Sequence, residues 1–370
     1  MAAKHPLPFK HITVVGVGLI GGSLALAIKH RFPSLHITGV DTPRVLRRAR
    51  ERKAIDTAER SLEHALRSAD LIVIAAPVSS IAKLLPRVAQ YAPPDAVITD
   101  TGSVKRSLVE QAQKLFPRGN FIGGHPMTGA EFSGIDAAHP LLFQNAIYIL
   151  TPARTANKQS LRRLADFFTL LDARIVTMDA AVHDSVMAAV SHLPQLAAVA
   201  LMNTVGERHP DAPAHLALSA GGFRDMTRIA SSPFGMWSDI LAANKKEVGK
   251  ALDLYITELK KTAELVGSHP SRLAAEFQTS KKMRSRIPRS MKGFLSPLVD
   301  LSVFVEDKSG ELARLTSSLA DRSINIKDME LLKVREGRGG TFRLSFENRG
   351  SAVKAAHILQ RAGFDVGGKW

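Results

Sequence analysis

Ile12-Thr13-Val14-Val15-Gly16-Val17-Gly18-Leu19-Ile20-Gly21 is a β-branched run followed by glycines at the spacing GxGxxG, and the apolar residues Leu24, Leu26 and Ile28 come next at helical spacing. Strand, glycine turn and helix in that order open a dinucleotide-binding unit. Glycine permits the tight turn and lets the backbone approach a pyrophosphate seated on the helix N-terminus. Gly16, Gly18, Leu19, Ile20 and Gly21 are therefore the expected cofactor cradle. Asp41 closes the next β-branched run, where a carboxylate accepts from both ribose hydroxyls of NAD and repels a 2′-phosphate. NAD is expected over NADP, with Arg44 and Arg47 as the neighbours that would soften the preference.

Outward from this turn, β-branched runs at 12–15, 36–40, 71–74, 96–99, 120–123, 146–150 and 173–176 alternate with helical patterns. That alternation predicts a doubly wound, parallel α/β sheet of the Rossmann type over 10–178. Ligands of such sheets sit at the carboxyl ends of the strands, so chemistry is sought there. From 179 to 285 the strand signal vanishes. Residues 188–205 are apolar almost all round, which predicts a helix buried in a domain centre or between subunits, and with it a homodimer. Residues 236–266 read as one long amphipathic helix. A basic linker at 286–297 then leads to a strand–helix–strand–strand–helix–strand order over 298–370, expected to form a ferredoxin-like module.

The chain has 370 residues, enough for two or three domains, and its 45% hydrophobic content argues against disorder. It has no cysteine, which excludes disulfides, thiolate catalysis and sulfur-based zinc sites and fits a reducing compartment. The formal charge of +16 favours an acidic partner. The basic run Lys281-Lys282-Met283-Arg284-Ser285-Arg286-Ile287-Pro288-Arg289 has no interleaved aromatics, so a solvated linker is favoured over a nucleic-acid patch. The apolar stretch 12–28 is interrupted by glycines and short for a membrane span, so a cytoplasmic protein without membrane segments is expected.

Three further stretches carry candidate chemistry. Asp100-Thr101-Gly102-Ser103-Val104-Lys105 ends the fourth strand; Ser103 there is placed to hydrogen-bond a substrate, or else Asp100 or Ser103 caps the next helix. Gly123-Gly124-His125-Pro126-Met127-Thr128-Gly129-Ala130-Glu131-Phe132-Ser133-Gly134 is expected just past the fifth strand, and His125 has the side chain suited to taking a proton from an alcohol as its hydride leaves. In the helical region, His192 lies in Ser191-His192-Leu193-Pro194-Gln195, where a structural role is the default. Arg224 and Arg228 stand one turn apart, suited to a substrate carboxylate or to an ion pair with Asp225 or Asp239. No metal-binding cluster is expected.

These motifs, GxGLIGGS at 16–23, DxGSVK at 100–105, GGHPMxGxExSG at 123–134, SHLPQ at 191–195 and GGFRDxTRIA at 221–230, resemble those of bacterial prephenate dehydrogenases across nearly the whole chain. The resemblance implies oxidative decarboxylation of prephenate to 4-hydroxyphenylpyruvate with reduction of NAD⁺. It implies that His125 polarises the ring hydroxyl and that Ser103 orients His125 and the nicotinamide. It implies further that Arg228 pairs a substrate carboxylate, with Arg224 the less certain second arginine, that His192 binds or orients the substrate, and that Glu131 gates the site. With the first strand starting so early, no chorismate mutase segment is expected before it. The C-terminal module resembles an ACT domain at Val305-Glu306-Asp307-Lys308-Ser309-Gly310-Glu311-Leu312 and Ile324-Asn325-Ile326. Asp307, Gly310 and Asn325 are then the expected amino-acid site, with L-tyrosine as the implied feedback effector and a purely structural dimerisation module as the alternative. Arogenate dehydrogenase is the closest rival reading. A β-hydroxyacid dehydrogenase would require a catalytic lysine in the helical domain and leaves HPMTGAE unexplained. A non-catalytic sensor of nucleotide and amino acid would need no proton acceptor.

Overall fold

The computed structural model describes residues 7–129, 132–206, 211–287, 298–335 and 339–367. The chain divides into two compact units, residues 1–273 and 274–370.

The first unit is built on strands β1 (His11–Val15), β2 (His36–Val40), β3 (Thr57–Glu59), β4 (Leu71–Ile74), β5 (Val97–Asp100), β6 (Phe121–Pro126), β7 (Ile147–Pro152) and β8 (Arg174–Thr177). Their spatial order is β3-β2-β1-β4-β5-β6-β7-β8. The order reverses between β1 and β4, and the crevice at the carboxyl ends there is where an open α/β sheet takes its ligand. Side chains alternate across the sheet: Ile12, Val14, Leu71 and Val73 pack with Leu24, Ile28 and Phe168 on one face. Val15, Ile72, Ile74 and Ile98 pack with Leu85, Val88 and Leu108 on the other. The glycine-rich stretch 12–28 is thus strand, turn and buried helix Leu19–Arg31.

The sheet is not parallel throughout. β6 and β7 pair antiparallel, and β7 and β8 are parallel to each other. A parallel return requires a crossover that packs a helix on the sheet, and the 127–146 connection provides only the short 3₁₀ turn Ile135–Ala137 among its described residues. His125 accordingly lies inside β6, opposite Ile149 of β7, instead of just beyond a strand end.

Two helical expectations are also revised. The 236–266 pattern forms two helices, Phe234–Ala243 and Lys245–Ser268, broken at Asn244, whose buried side chain donates to the Asp184 carbonyl at 2.8 Å. Residues 188–205 continue the helix Ala180–Met187 through a π turn, Ala188–His192, into Leu193–Val205. By length and composition alone the span Ala180–Val205 is apolar enough to cross a membrane, and only 28% of its most apolar window is buried. Val190 is 61% exposed. The helix therefore leaves part of its apolar surface uncovered within the chain.

In the second unit, β9 (Val299–Val305), β10 (Asp328–Arg335), β11 (Gly339–Phe346) and β12 (Asp365–Gly367) form an antiparallel sheet in the order β10-β11-β9-β12. Helices Glu311–Ala320 and Arg349–Arg361 connect them, and Leu301, Val303, Leu315, Leu319, Leu344 and Leu359 form the core. Most of the expected linker, 288–297, lies outside the described residues.

Candidate active site

The glycine turn is shaped from within by packing and left open on one side. Gly16 has φ +93°, and a Cβ there would stand 2.2 Å from the Ala75 carbonyl oxygen; one at Gly18 would meet nothing within 4 Å. Protein packing thus requires glycine at 16 but not at 18, where the open face suits a ligand backbone-close to the turn. The helix that follows has no side-chain cap and no acidic residue in its first turn, so its N–H groups suit a phosphate. Asp41, half-buried after β2, accepts the Val17 N–H at 2.8 Å and the Thr42 N–H at 2.6 Å. Its remaining lone pairs fit ribose hydroxyls. Of the nearby arginines, Arg48 is engaged by Asp136 and Glu51.

The second half of the site is a buried polar cluster in an apolar surround. Asp100, ending β5, accepts the Gly102 N–H at 2.8 Å and the Gly124 N–H at 3.2 Å, and pairs with the Lys105 ammonium. Asp100 and Lys105 are both wholly buried. Burial pulls the Lys105 pKa down against the opposing pull of Asp100. Gly124 is required here: a Cβ on it would lie 2.5 Å from the Asp100 carbonyl oxygen.

His125 faces the helical region. Its Nδ1 is 2.8 Å from His183 Nε2, and His183 Nδ1 is 2.7 Å from Asp184 Oδ1. Asp184 also accepts the backbone N–H groups of Lys105 (2.7 Å) and Arg106 (2.9 Å), which caps helix Arg106–Leu115 from another helix. The cap expected from Asp100 or Ser103 is thus supplied by Asp184. Burial, then the neighbouring His183, Lys105 and His192, holds the His125 pKa well below the usual 6.5. A neutral imidazole at working pH can accept a proton.

His192 belongs to this cluster. It is 2% exposed, 3.3 Å from the Asn244 amide through Nδ1, and edge-on to Trp237. Burial lowers its pKa too. Trp237 Nε1 is a buried donor with no partner among the described residues. Ser103 is half-buried and makes no hydrogen bond to His125, whose ring contact comes from His183 instead.

Arg224 and Arg228 are exposed, on helix Gly221–Thr227 and the following turn Arg228–Ser231. That turn is tied down by Gln195, which donates to the Ile229 carbonyl at 2.9 Å. Asp239, weighed as an arginine partner, accepts from the backbone N–H and hydroxyl of Ser79. Glu131 lies outside the described residues. His183, Asp184, Asn244 and Trp237 were not anticipated; the adjacent His-Asp pair on an otherwise apolar helix was the available signal.

A glycine turn with an acidic residue beside it, and a half-buried histidine of lowered pKa farther along the carboxyl side of the same sheet, fit an NAD-linked dehydrogenase. Residues 24–177 match the family model for the prephenate dehydrogenase nucleotide-binding domain, and 179–279 that for the prephenate dehydrogenase dimerization domain. The chain belongs to the prephenate dehydrogenase family. It is 35% identical to a prephenate dehydrogenase of Bacillus subtilis over 94% of this chain and 95% of that one. Its fold is similar to the crystal structure of prephenate dehydrogenase from A. aeolicus in complex with hydroxyphenyl propionate and NAD⁺, with TM-score 0.69, 30% identity, and coverage of 75% and 97% of the two chains. It is also similar to Synechocystis arogenate dehydrogenase, with TM-score 0.68, 31% identity, and coverage of 75% and 99%.

Proposed function

We propose that the protein oxidatively decarboxylates prephenate to 4-hydroxyphenylpyruvate with reduction of NAD⁺. The observation that carries this reading is His125, half-buried, with its pKa held low and backed by a second histidine, on the carboxyl side of the sheet that also bears the glycine turn. NAD⁺ supplies the hydride acceptor when bound at Gly16 to Gly21 and Asp41. His125 accepts the hydrogen bond, and then the proton, of the ring hydroxyl while the carbon bearing it loses hydride. Aromatisation drives loss of CO₂, so the chain's remaining work is to hold carboxylates and exclude water. Arg228 is assigned to a substrate carboxylate and Arg224 is the less certain second arginine, while Ser103 is assigned to orienting His125 and the nicotinamide and His192 to binding or orienting the substrate. Glu131 is assigned to the mouth.

Arogenate is the second reading for the substrate, favoured by the 31% identity to an arogenate dehydrogenase. The chain is further read as a cytoplasmic homodimer, in keeping with its lack of cysteine and with exposed Leu254, Ile256, Leu259, Phe234 and Met236 in the region matched to the dimerization model. The domain limits 10–178, 179–285, 286–297 and 298–370 are kept as part of this reading. The C-terminal module is assigned as ACT-like, supported by its antiparallel β10-β11-β9-β12 order. Its proposed tyrosine site uses Asp307 and Gly310, which has φ +91° at the start of helix Glu311–Ala320. Asn325 is exposed in the segment before β10. It was expected to enter that strand, which starts three residues later.

NADH formation with prephenate and with arogenate, each with and without L-tyrosine, tests the whole reading. Turnover of either names the substrate. Silence with both, in protein that binds NADH, would replace the enzyme with a sensor.

A further inference from the structure

His183 is fully buried beside His125, the rings meeting edge to face at 5.1 Å between centroids. An imidazole in such a place has two neutral tautomers, and its neighbours decide which is present. Asp184 accepts two backbone N–H groups of the next helix in addition to its contact with His183, the coordination of an ionised carboxylate. A carboxylate only accepts, so the His183 proton sits on Nδ1. With Nδ1–H directed at Asp184, His183 turns Nε2 toward His125, and where that nitrogen carries its lone pair the nitrogen facing it at 2.8 Å, His125 Nδ1, donates.

We propose that His183, held by Asp184, is a positioning residue that fixes His125 as its Nδ1–H tautomer and so leaves Nε2 as the proton-accepting nitrogen. The inference rests on the proposed role of His125 and adds to it the device that makes the role possible. With the opposite tautomer, Nε2 would already carry a hydrogen and could not take one. When the substrate O–H bond breaks, the proton forms a new N–H bond at His125 Nε2 while the imidazolium keeps its Nδ1–H on His183, and as CO₂ leaves and the ring becomes aromatic that proton returns to the ring oxygen of the product. The arrangement also ties the base to the fold. Asp184 caps helix Arg106–Leu115, whose preceding loop carries Ser103 and Lys105, so one carboxylate orients the histidine relay and anchors the loop beside it.

The test combines a spectroscopic and a kinetic readout. In ¹⁵N-histidine-labelled wild-type protein at neutral pH, His125, assigned by its loss in His125→Asn, is expected to show a protonated Nδ1 and an unprotonated Nε2. Finding Nε2 protonated would overturn the proposal, and this needs neither turnover nor a known substrate. His183→Phe fills the space without an acceptor and is expected to lower kcat by about 100-fold or more, the scale of general-base effects, with KM within about 2-fold. His183→Gln offers a carbonyl oxygen to His125 Nδ1–H and is expected to recover at least about tenfold of that loss. Wild-type kcat in a folded His183→Phe, or equal losses in both variants, would overturn it. If the wild-type protein turns over neither prephenate nor arogenate, the proposed function fails while the tautomer result still decides the role of His183.

Discussion

Lys105 donates its ammonium to the Gly124 carbonyl at 2.8 Å, one residue before His125, while the same ammonium pairs with Asp100 at the end of the neighbouring strand. The buried Lys105–Asp100 pair thus clamps β5 to β6 directly behind His125. Removing one member of a buried pair leaves the other charge without compensation, a loss of about 3–5 kcal/mol. Lys105→Met is therefore expected to lower Tm sharply. The double variant Lys105→Met/Asp100→Asn removes both charges and is expected to be more stable than the single one. An unchanged Tm in Lys105→Met would show that the clamp contributes nothing.

His125→Asn retains a polar side chain of lower basicity. Turnover is expected to fall by about 10²–10⁴-fold, the range of general acid–base contributions, with NADH affinity unchanged because the glycine turn is untouched. Fluorescence titration of NADH alongside steady-state rates checks both halves. Full turnover in this variant would remove His125 from the mechanism.

The lowered His125 pKa sets the pH dependence. Its neutral form is the active one, so kcat/KM is expected to be level from pH 8 down to 6.5 and to fall only at lower pH. The charged and titrating groups around it are His183, Lys105 and His192, with Asp100 and Asp184 behind them. His125 and His192 both have folded-state pKa values below the unfolded 6.5, so the unfolded chain binds more protons there. Stability from these groups is present above pH 6.5 and is lost as pH falls toward the folded values. A rate profile with its acid limb centred at or above 6.5 would contradict the burial argument.

Asp41 uses part of its hydrogen-bonding capacity on the glycine turn, through the Val17 N–H, and the rest is what the proposed cofactor site assigns to the ribose. Asp41→Ser removes a charged acceptor whose hydrogen bonds contribute about 1.5–3 kcal/mol. KM for NAD⁺ is expected to rise at least tenfold, and the ratio of NAD⁺ to NADP⁺ efficiency to drop. Kinetics with the two cofactors decide it, and an unaltered ratio would move the specificity determinant elsewhere.

The legible part of this molecule was the part written locally. Gly16 and Gly21 mark a turn because a Cβ at either would run into backbone, with Gly18 leaving its outer face open, and the runs 12–15, 36–40 and 71–74 announce strands through β-branching alone. His125 stood out because of its motif. The edge strand β3, Thr57–Glu59, is three residues long with little apolar signal and was missed. The direction of β7 could not be read, since it depends on whether the 127–146 connection packs a helix on the sheet.

Asn244 shows the same division. Helical periodicity runs through it on both sides, yet the structure breaks the helix there so that its amide can reach the Asp184 carbonyl and His192. His183 and Asp184 carried no sequence signal strong enough to place them behind a residue 58 positions away. By itself the sequence determined the glycine turn and the strand–helix alternation and singled out His125 as the proposed proton acceptor, because each follows from backbone sterics or side-chain chemistry within a short window. Tertiary structure alone decided which nitrogen of His125 is held and by what, because that contact joins residues 58 apart in the chain and exists only once the helical region closes over the sheet edge.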